Sequence, residues 1–343
     1  MAWEEQGPLD KQGPLDKQGP LDKQGPLDKQ GPLEKQVVLV VGASRGIGRQ
    51  VAIDLAKNNY IVIVAAKTTS EPSESLPFPP DPNSSASTIT TVTREITDDG
   101  GEALAAHVDV RDVDSVQGMV AKVIHTYKRL DVLLYNPGAI WWAAVEKTPL
   151  KRYRLMQQVN SEGLYACVQA CLPHFYKNGS HGLGTGRIVV VSPPVYSRFL
   201  RGKTAYAMTK WAMTALTMGL AMDWTRDGRT NMAITSLWPA AAIVSAATQN
   251  PQTDPSQLRK PTIFSDAVLA ILRAAPADVN GKALLDEDFL RQWAGVTDFG
   301  KYAHVPGSTP RRMMPAQLPD LSVQEQADEG TRMDSTRLPG PRL

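Results

Sequence analysis

The chain has 343 residues, enough for one large α/β domain with extensions or for two small domains. Its net charge is +2 with both signs well mixed, so no nucleic-acid or membrane-surface partner is predicted, and no apolar run is long enough to cross a bilayer. Two cysteines, Cys167 and Cys171, exclude a disulfide framework and indicate a reduced, apolar helix face rather than a metal site.

Residues 6–35 are five tandem copies of Gln-Gly-Pro-Leu-Asp-Lys, the last with Glu34 in place of aspartate. The Gly-Pro pair in every copy prevents a helix or a sheet strand. One leucine per copy buries too little apolar surface to offset the loss of chain entropy. We therefore predict a disordered tail over residues 1–35. A binding site for a protein partner, built from the repeats, is the alternative.

From Gln36 the sequence alternates between Val-rich strands and amphipathic helices. Strands are predicted near 37–41, 60–66, 103–108, 130–135, 187–192, 232–238 and 282–285, and helices near 46–58, 88–99, 112–127, 150–177, 204–226 and 263–274. This alternation predicts an α/β fold of Rossmann type, a doubly wound parallel sheet of about seven strands with helices on both faces.

Two further segments differ in composition from this single domain, which we predict over residues 36–304. The Pro- and Ser-rich residues Glu71 to Ser87 indicate an inserted surface loop. Residues 305–343 are Pro-rich and charged, so we predict a second tail with little order.

The segment Gly42-Ala43-Ser44-Arg45-Gly46-Ile47-Gly48 joins the first predicted strand to the first predicted helix. Glycines let the backbone approach a ligand closely, and the free N–H groups of a first helical turn favour an anion such as a pyrophosphate. A second strand follows about twenty residues on, which is the spacing of a dinucleotide-binding unit. The segment therefore predicts a dinucleotide site. A glycine turn that serves packing alone is the alternative.

The charges near the end of the second strand predict which dinucleotide binds. Enzymes that prefer NAD usually carry an acid there, for the ribose hydroxyls, yet no Asp or Glu lies between Tyr60 and Ser70. Instead Lys67 follows the strand and Arg45 lies in the glycine turn. Two cations suit a 2′-phosphate, so the predicted cofactor is NADP. A solvated loop lysine is the alternative for Lys67.

Three residues in the middle of the chain predict catalysis. Tyr206 and Lys210 are four residues apart on one face of a predicted helix, and Ser192 ends the fifth strand. A nearby lysine and a nicotinamide cation both lower the pKa of a phenol from its usual value near 10. The tyrosine can then exchange a proton with a substrate oxygen held by the serine, while a hydride moves at the carbonyl carbon. Without the upstream turn, the Tyr-x-x-x-Lys spacing would indicate only an amphipathic helix surface.

Residues 37 to about 300 resemble the short-chain dehydrogenase/reductase family. The matching elements are the Gly-x-x-x-Gly-x-Gly turn, Asp109-Val110 after the third strand, Asn136-Pro137-Gly138 after the fourth, Asn160, Ser192, Tyr206 and Lys210. The resemblance implies a catalytic set of Asn160, Ser192, Tyr206 and Lys210. It implies cofactor contacts from Gly42, Ser44, Arg45, Gly46, Ile47, Gly48, Lys67, Asp109, Asn136, Tyr206 and Lys210.

Within this resemblance, Asp109 would contact the adenine, and Asn160 would kink a helix and hold a water in the proton relay. A turn-forming aspartate and a helix-capping asparagine are the alternatives for these two residues. Trp141 and Trp142 follow the fourth strand and either line a substrate pocket or pack in the core.

The sequence departs from the family pattern at a few positions, none of which removes a catalytic group. Val41 replaces the usual threonine, Tyr135 replaces the first asparagine of the strand-four motif, and Ala240 replaces a glycine. Pro137 removes a backbone donor beside the adenosine site. The spacing from Ser192 to the tyrosine is one residue longer than usual, which makes Ser192 the least secure member of the catalytic set.

The sequence thus predicts an NADP-dependent oxidoreductase that interconverts an alcohol and a ketone or aldehyde of an apolar small molecule. The alternative is a nucleotide-binding scaffold of the same fold with little or no turnover. A homo-oligomer through the helices near 150–177 and 204–226 is a further expectation. The final Pro341-Arg342-Leu343 is similar to a peroxisomal Ser-Lys-Leu address, with the cytoplasm as the alternative location.

Overall fold

The structure, a computed structural model, describes residues 35–70, 78–179 and 183–323. Within them lies one parallel sheet of seven strands in the order β3-β2-β1-β4-β5-β6-β7. The strands are β1 Val37–Val41, β2 Ile61–Ala66, β3 Glu102–His107, β4 Val132–Tyr135, β5 Gly186–Val191, β6 Met232–Trp238 and β7 Ala283–Leu285. The predicted fold class, a doubly wound parallel sheet of Rossmann type, is confirmed.

Strand β1 lies inside the sheet because all five of its side chains are apolar and buried. Its Val38 pairs with Val62 of β2 on one side and with Val132 of β4 on the other. The strand order reverses between β1 and β4, and parallel sheets bind ligands beyond the carboxyl ends of the strands at such a point. The glycine turn follows β1 and Asn136 follows β4, so the topology places both at this crevice.

Helices cover both faces of the sheet. They are α1 Gly46–Lys57, α2 Ile89–Asp98, α3 Val113–Tyr127, α4 Leu150–Met156, α5 Gly163–Lys177, α6 Thr204–Arg226, α7 Thr262–Arg273, α8 Pro276–Val279 and α9 Asp286–Trp293. Alternate side chains of β1 pack on opposite faces of the sheet. Val38 and Val40 pack in the layer that contains α1 and α7. Leu39 and Val41 pack in the layer that contains α3 and α5. None of the helices that the structure describes is long and apolar enough to cross a membrane.

The segment predicted as one helix over 150–177 is interrupted. It contains α4, then a π-helical segment over Gln157–Glu162, then α5. Such π-helical turns are rare and are frequently found at functional sites. Asn160 is buried in the middle of this segment. The sequence prediction also missed α8 and α9, which have only four and eight residues.

The inserted loop after β2 lies against the glycine turn in its described part. The N–H of Gly46 donates to the carbonyl of Pro82 at 3.1 Å, and the hydroxyl of Ser87 donates to the carbonyl of Ser44 at 2.7 Å. The loop therefore supports the turn that begins α1, in addition to covering the surface.

The chain stays in contact with the domain beyond residue 304, where the sequence placed its boundary. Met314 is buried, and the Arg312 guanidinium donates to the carboxylate of Asp288 at 2.7 Å. The hexapeptide repeats up to Glu34 and the final Pro341-Arg342-Leu343 lie outside the described residues. The disordered N-terminal tail and the peroxisomal address therefore stay predictions.

Candidate active site

The glycine turn is held against two strands and the start of α1. Gly42 has a φ of +79°, a value that glycine tolerates, and its N–H donates to the carbonyl of Ala65 in β2 at 2.7 Å. A Cβ added to Gly48 would lie 2.2 Å from the carbonyl oxygen of Gly42. Helix α1 thus packs directly on the turn, and its N-terminus lies at the crevice. The N–H of Gly46 is bonded to Pro82, and the N–H groups that follow it suit a phosphate.

A cleft of about 280 Å³ runs from the glycine turn to α6. Seven predicted site residues line it: Gly42, Arg45, Gly46, Ile47, Asn136, Tyr206 and Lys210. The other predicted residues lie outside its lining: Ser44, Gly48, Lys67, Asp109, Asn160 and Ser192. The far wall comprises Ile140, Trp238 and the loop residues Ser245, Ala246 and Ala247.

One cation, Arg45, lines the cleft, and two others, Lys67 and Arg111, pair with Asp109 beyond the ends of β2 and β3. The half-buried Arg45 lines the cleft, and its guanidinium forms no hydrogen bond or ion pair with another described residue. Lys67 Nζ lies 2.9 Å from Asp109, and Arg111 Nε donates to the same carboxylate at 2.8 Å. The hydrogen bonds from Arg111 and then Lys67 hold the pKa of Asp109 well below its usual range. The sequence prediction missed Arg111, whose only signal was its place two residues after Asp109.

Asn136 connects β4 to the glycine turn. Its N–H donates to the carbonyl of Val41 at 3.1 Å, and its Nδ2 donates to the carbonyl of Gly42 at 3.0 Å. Pro137 lies so close to the turn that a Cβ on Gly42 would come within 2.9 Å of the proline nitrogen. These contacts close the base of the cleft, although Pro137 has no backbone N–H to donate.

Tyr206 and Lys210 both face the cleft from the first turns of α6. Lys210 is buried, and its Nζ donates to the carbonyl of Val191 at the end of β5, at 2.9 Å. The Nζ also lies 5.5 Å from the ring centroid of Trp238. Gly138 lies beside the ammonium, because a Cβ at that position would stand 3.6 Å from the lysine nitrogen, an ordinary van der Waals contact. The strand end thus fixes the ammonium beside the tyrosine.

In the chain without a bound cofactor, burial shifts the pKa of both Tyr206 and Lys210. It raises the pKa of the Tyr206 phenol and lowers the pKa of Lys210 to about 7. The sequence predicted that the lysine and a bound nicotinamide cation would together lower the tyrosine pKa, and only the lysine is present here. Burial outweighs that effect because Lys210 is directed to the Val191 carbonyl and is itself destabilised as a cation. A neutral phenol beside a lysine that titrates near neutral pH is suited to proton exchange.

Asn160 joins the segment after β4 to the catalytic helix. Its Oδ1 accepts from the N–H of Ala139 at 2.8 Å, and its Nδ2 donates to Thr209 Oγ1 at 2.8 Å. Thr209 in turn donates to the carbonyl of Tyr206 at 2.8 Å. The π-helical segment thus places the Asn160 side-chain amide between the residues that follow β4 and helix α6, which form two walls of the cleft. In the structure Asn160 positions Tyr206 through Thr209.

Ser192 follows β5 as predicted, but its hydroxyl lies away from the cleft. The side chain is fully buried, shares a 2.8 Å hydrogen bond with Ser236 and accepts from Thr214 at 3.1 Å. These two partners come from β6 and α6, which pack against the end of β5. A role for Ser192 in holding a substrate oxygen stays a prediction, and it requires the hydroxyl to leave this network.

The two tryptophans after β4 have different surroundings. Trp141 packs against a buried cluster near α4, with the Arg152 guanidinium 4.5 Å from its ring centroid. Trp142 is 62% exposed and meets the Tyr206 ring edge-on, with the centroids 6.3 Å apart. Trp142 therefore lies at the mouth of the catalytic site, whereas Trp141 contributes to packing.

The segment around Met314 packs against the residues that follow Trp238, at the far wall of the cleft. Ala240 donates its N–H to Asp286 at 2.8 Å, and its carbonyl accepts from the N–H of Met313 at 2.8 Å. Tyr196 donates its hydroxyl to Met314 Sδ at 3.2 Å. The start of the loop after β6 is thus fixed from two sides.

We expect Asp286→Asn to change how stability depends on pH. Burial raises the pKa of Asp286 from 3.8 to about 7, opposed by the hydrogen bonds from Ala240 and Glu287. The folded chain therefore binds the proton more tightly than the unfolded chain. The stability that this provides is complete below about pH 4 and is lost as the pH rises through about 7.

Urea unfolding of both chains across this pH range measures the effect. The free energy of unfolding of the unmodified chain should fall with rising pH relative to the Asp286→Asn variant. Asp114→Asn, at the exposed start of α3, is the matched control and should leave the pH profile unchanged. Parallel profiles for the unmodified chain and Asp286→Asn would contradict the prediction.

Residues 36–77 and 83–254 match the family described as short chain dehydrogenase. The chain belongs to the short-chain dehydrogenase/reductase family, and it is an oxidoreductase of that family by class.

Among its relatives is hydroxysteroid dehydrogenase-like protein 2 of Danio rerio, 32% identical over 310 residues. The alignment covers 89% of this chain and 70% of that protein. For the Rattus norvegicus protein of the same name, at 32% identity, it covers 85% of this chain and 51% of the relative.

Solved structures agree with the fold. A short chain dehydrogenase from Mycobacterium thermoresistibile is 33% identical with a TM-score of 0.68, covering 81% of this chain and 93% of that one. An alcohol dehydrogenase from Thermococcus sibiricus complexed with 5-hydroxy-NADP is 23% identical, with a TM-score of 0.60 and coverages of 74% and 96%. A 7α-hydroxysteroid dehydrogenase complexed with NADH has 23% identity, a TM-score of 0.58 and coverages of 74% and 93%. The alcohol dehydrogenase was thus solved with an NADP analogue and the 7α-hydroxysteroid dehydrogenase with NADH.

Proposed function

We propose that the chain is an NADP-dependent oxidoreductase that interconverts an alcohol and a ketone or aldehyde of an apolar small molecule. The observation that carries this proposal is that Tyr206 and Lys210 share one cleft with the glycine turn. A proton donor and a dinucleotide site are the two components that such a reaction requires.

The residues of the cleft fit a dinucleotide. Gly42 and Gly46 line it without side chains, and a Cβ on Gly46 would stand 3.3 Å from the Cβ of Ser245. Glycine at this position keeps the passage between the turn and the loop after β6 open. Arg45 offers an unpaired guanidinium among the described residues at the same end. A nicotinamide dinucleotide, when bound, supplies or accepts the hydride.

The side chains supply the proton. In the reductive direction the substrate carbon gains a hydride and its oxygen gains a proton, which gives the alcohol. Tyr206 donates that proton from its phenol, and burial favours the protonated form that this step needs. Lys210, with a pKa of about 7, can return a proton to the phenolate near neutral pH. In the oxidative direction the same transfers run in reverse.

Turnover with a panel of carbonyl compounds tests the proposal against the alternative of a binding scaffold. NADPH oxidation would be followed with aldehydes and ketones of increasing apolar size, and NADPH binding would be measured by calorimetry on the same preparation. We expect turnover with at least one class of apolar carbonyl. Tight NADPH binding without turnover on any of them would favour the scaffold.

We expect NADPH to bind at least ten-fold more tightly than NADH, a difference of about 1.4 kcal/mol. Arg45 and Lys67 provide two cations for the 2′-phosphate, and the Lys67 side chain is 62% exposed and able to turn towards it. Lys67→Glu should weaken NADPH binding and shrink or reverse the preference, because a carboxylate repels the phosphate. Calorimetry at moderate salt with both cofactors measures this.

Lys57→Glu is the matched control for this experiment. Lys57 is similarly exposed, pairs with Asp99 at 3.6 Å and lies at the opposite end of α1 from the glycine turn. This variant should keep the preference of the unmodified chain. Equal affinities for NADPH and NADH in the unmodified chain would contradict the prediction.

We also propose a homo-oligomer through α5 and α6. A cavity of about 470 Å³ lies between these helices, and its lining includes Tyr165, Leu172, Leu216 and Leu220. The exposed apolar Tyr165 beside it suits the surface of a second copy.

A further inference from the structure

The segment that leads into α6 is cationic and has no acidic residue near it in the sequence. The chain contains no Asp or Glu between Glu162 and Asp223, whereas Arg198, Arg201 and Lys203 lie within six residues of one another. Opposite charges for these cations therefore have to come from elsewhere in the fold or from a ligand.

Lys203 is the member of this group that is withdrawn from solvent. Its Nζ lies 4.2 Å from the ring centroid of Phe199 and 5.8 Å from that of Trp142. Burial lowers its pKa, and among the described residues it makes no hydrogen bond or ion pair with a carboxylate. Arg201 is exposed, and Arg198 is exposed and donates to the carbonyl of Met313 at 3.4 Å. Solvent and salt therefore screen the attraction to an anion weakly at Lys203 and strongly at Arg198 and Arg201.

The two rings that hold Lys203 are the rings that border the catalytic tyrosine. Phe199 lies 6.2 Å from Tyr206 and Trp142 lies 6.3 Å from it, centroid to centroid. One aromatic ring therefore separates the ammonium from the phenol. Phe199 is buried and Trp142 is exposed, so a substrate whose carbonyl lies at Tyr206 can extend its apolar body over Trp142 and reach Lys203 with its far end.

We propose that Lys203 binds an anionic group, a carboxylate, at the far end of the substrate, so that the enzyme selects apolar carbonyl compounds that carry an acid. This inference rests on the proposed function for the location of the carbonyl. The Trp142 ring favours the apolar body, and both rings stabilise the ammonium until a carboxylate binds. A carboxylate offers the ammonium a charge-assisted hydrogen bond that no described residue provides.

Matched pairs of substrates test this proposal in the full chain. The probes are straight-chain ω-oxo carboxylic acids of increasing length and their methyl esters, which share the aldehyde and the apolar body but differ in charge. The unmodified enzyme should prefer the acid of the best length by at least ten-fold in kcat/KM. Lys203→Met, which keeps the apolar stem over the rings, should lower that acid-to-ester ratio at least ten-fold, chiefly through the KM of the acid.

Two further variants serve as controls. Lys203→Arg should retain most of the preference, because it retains the cation. Arg201→Met removes an exposed cation two residues away and should leave the ratio unchanged. A ratio near one in the unmodified enzyme, or a ratio that Lys203→Met does not change, would overturn the proposal.

A binding measurement separates this inference from the proposed reaction. Straight-chain monocarboxylic acids and their methyl esters have no aldehyde or ketone group to reduce, and calorimetry in the presence of NADPH reports their affinity without turnover. Acid binding that Lys203→Met weakens, in a chain that reduces no aldehyde, would support the anion site and reject the proposed reaction. Turnover of aldehydes with equal affinity for acid and ester would reject the anion site alone.

Discussion

Tyr206→Phe should lower turnover by about 10²–10⁴-fold, the range of general acid–base catalysis, while NADPH binding stays nearly intact. The change removes one hydroxyl from a side chain that is 3% exposed, so the ring still fills its place between Phe199 and Trp142. What is lost is the proton donor next to Lys210. Steady-state kinetics on a substrate identified with the unmodified enzyme, together with cofactor calorimetry, measures both quantities.

Tyr153→Phe removes the same hydroxyl from a nearby position in α4. Its phenol contacts Gln157, not the cleft, so this variant should keep turnover within a small factor of the unmodified enzyme. Substantial residual turnover by Tyr206→Phe would reject the tyrosine as the proton donor. Equal losses in the two variants would indicate that packing, rather than proton transfer, limits the rate.

Gly48→Ala should destabilise the fold by about 3 kcal/mol or more and abolish cofactor binding. The added Cβ would lie 2.2 Å from the carbonyl oxygen of Gly42 and 2.7 Å from Asn136 Nδ2. The closer atom belongs to the backbone of the turn, so α1 has to move away from β1 to make room. That movement separates the helix N-terminus from the crevice. Urea unfolding and NADPH calorimetry report the two effects.

Gly118→Ala is the matched control, since it makes the same change inside helix α3. A Cβ there meets no atom within 4 Å, so the substitution should be neutral or stabilise the helix by up to about 1 kcal/mol. If Gly48→Ala unfolds at the same urea concentration as the unmodified chain, the close packing of α1 on the turn is wrong.

Local sequence pattern predicted the sheet and the position of the glycine turn well. Strand β1 has the bounds expected from its run of apolar residues, because a buried parallel strand is apolar on both faces. Tyr206 and Lys210 share the cleft because a spacing of four puts both on one side of a helix.

Features that depend on distant partners were not predictable in this way. The π-helical segment around Asn160 depends on hydrogen bonds to Ala139 and Thr209, which sequence spacing does not reveal. The hydroxyl of Ser192 is directed by Ser236, a residue of the neighbouring strand β6. The direction of the Tyr206 pKa shift likewise follows from burial, which no pair spacing reports.

The hydrogen bonds at Ala240 have a consequence for protein engineering and for alignment. The sequence match to the family ends at residue 254. Even so, the hydrogen bond from Met313 fixes Ala240, which lies between Trp238 and the loop residues of the far wall of the cleft. A proteolytic cut, a fusion junction or a truncation made before Met314 would thus alter the cleft from outside the region by which the chain is classified. Alignments restricted to the matched region omit a segment that shapes the site, and variants chosen from them would leave that segment unexplored.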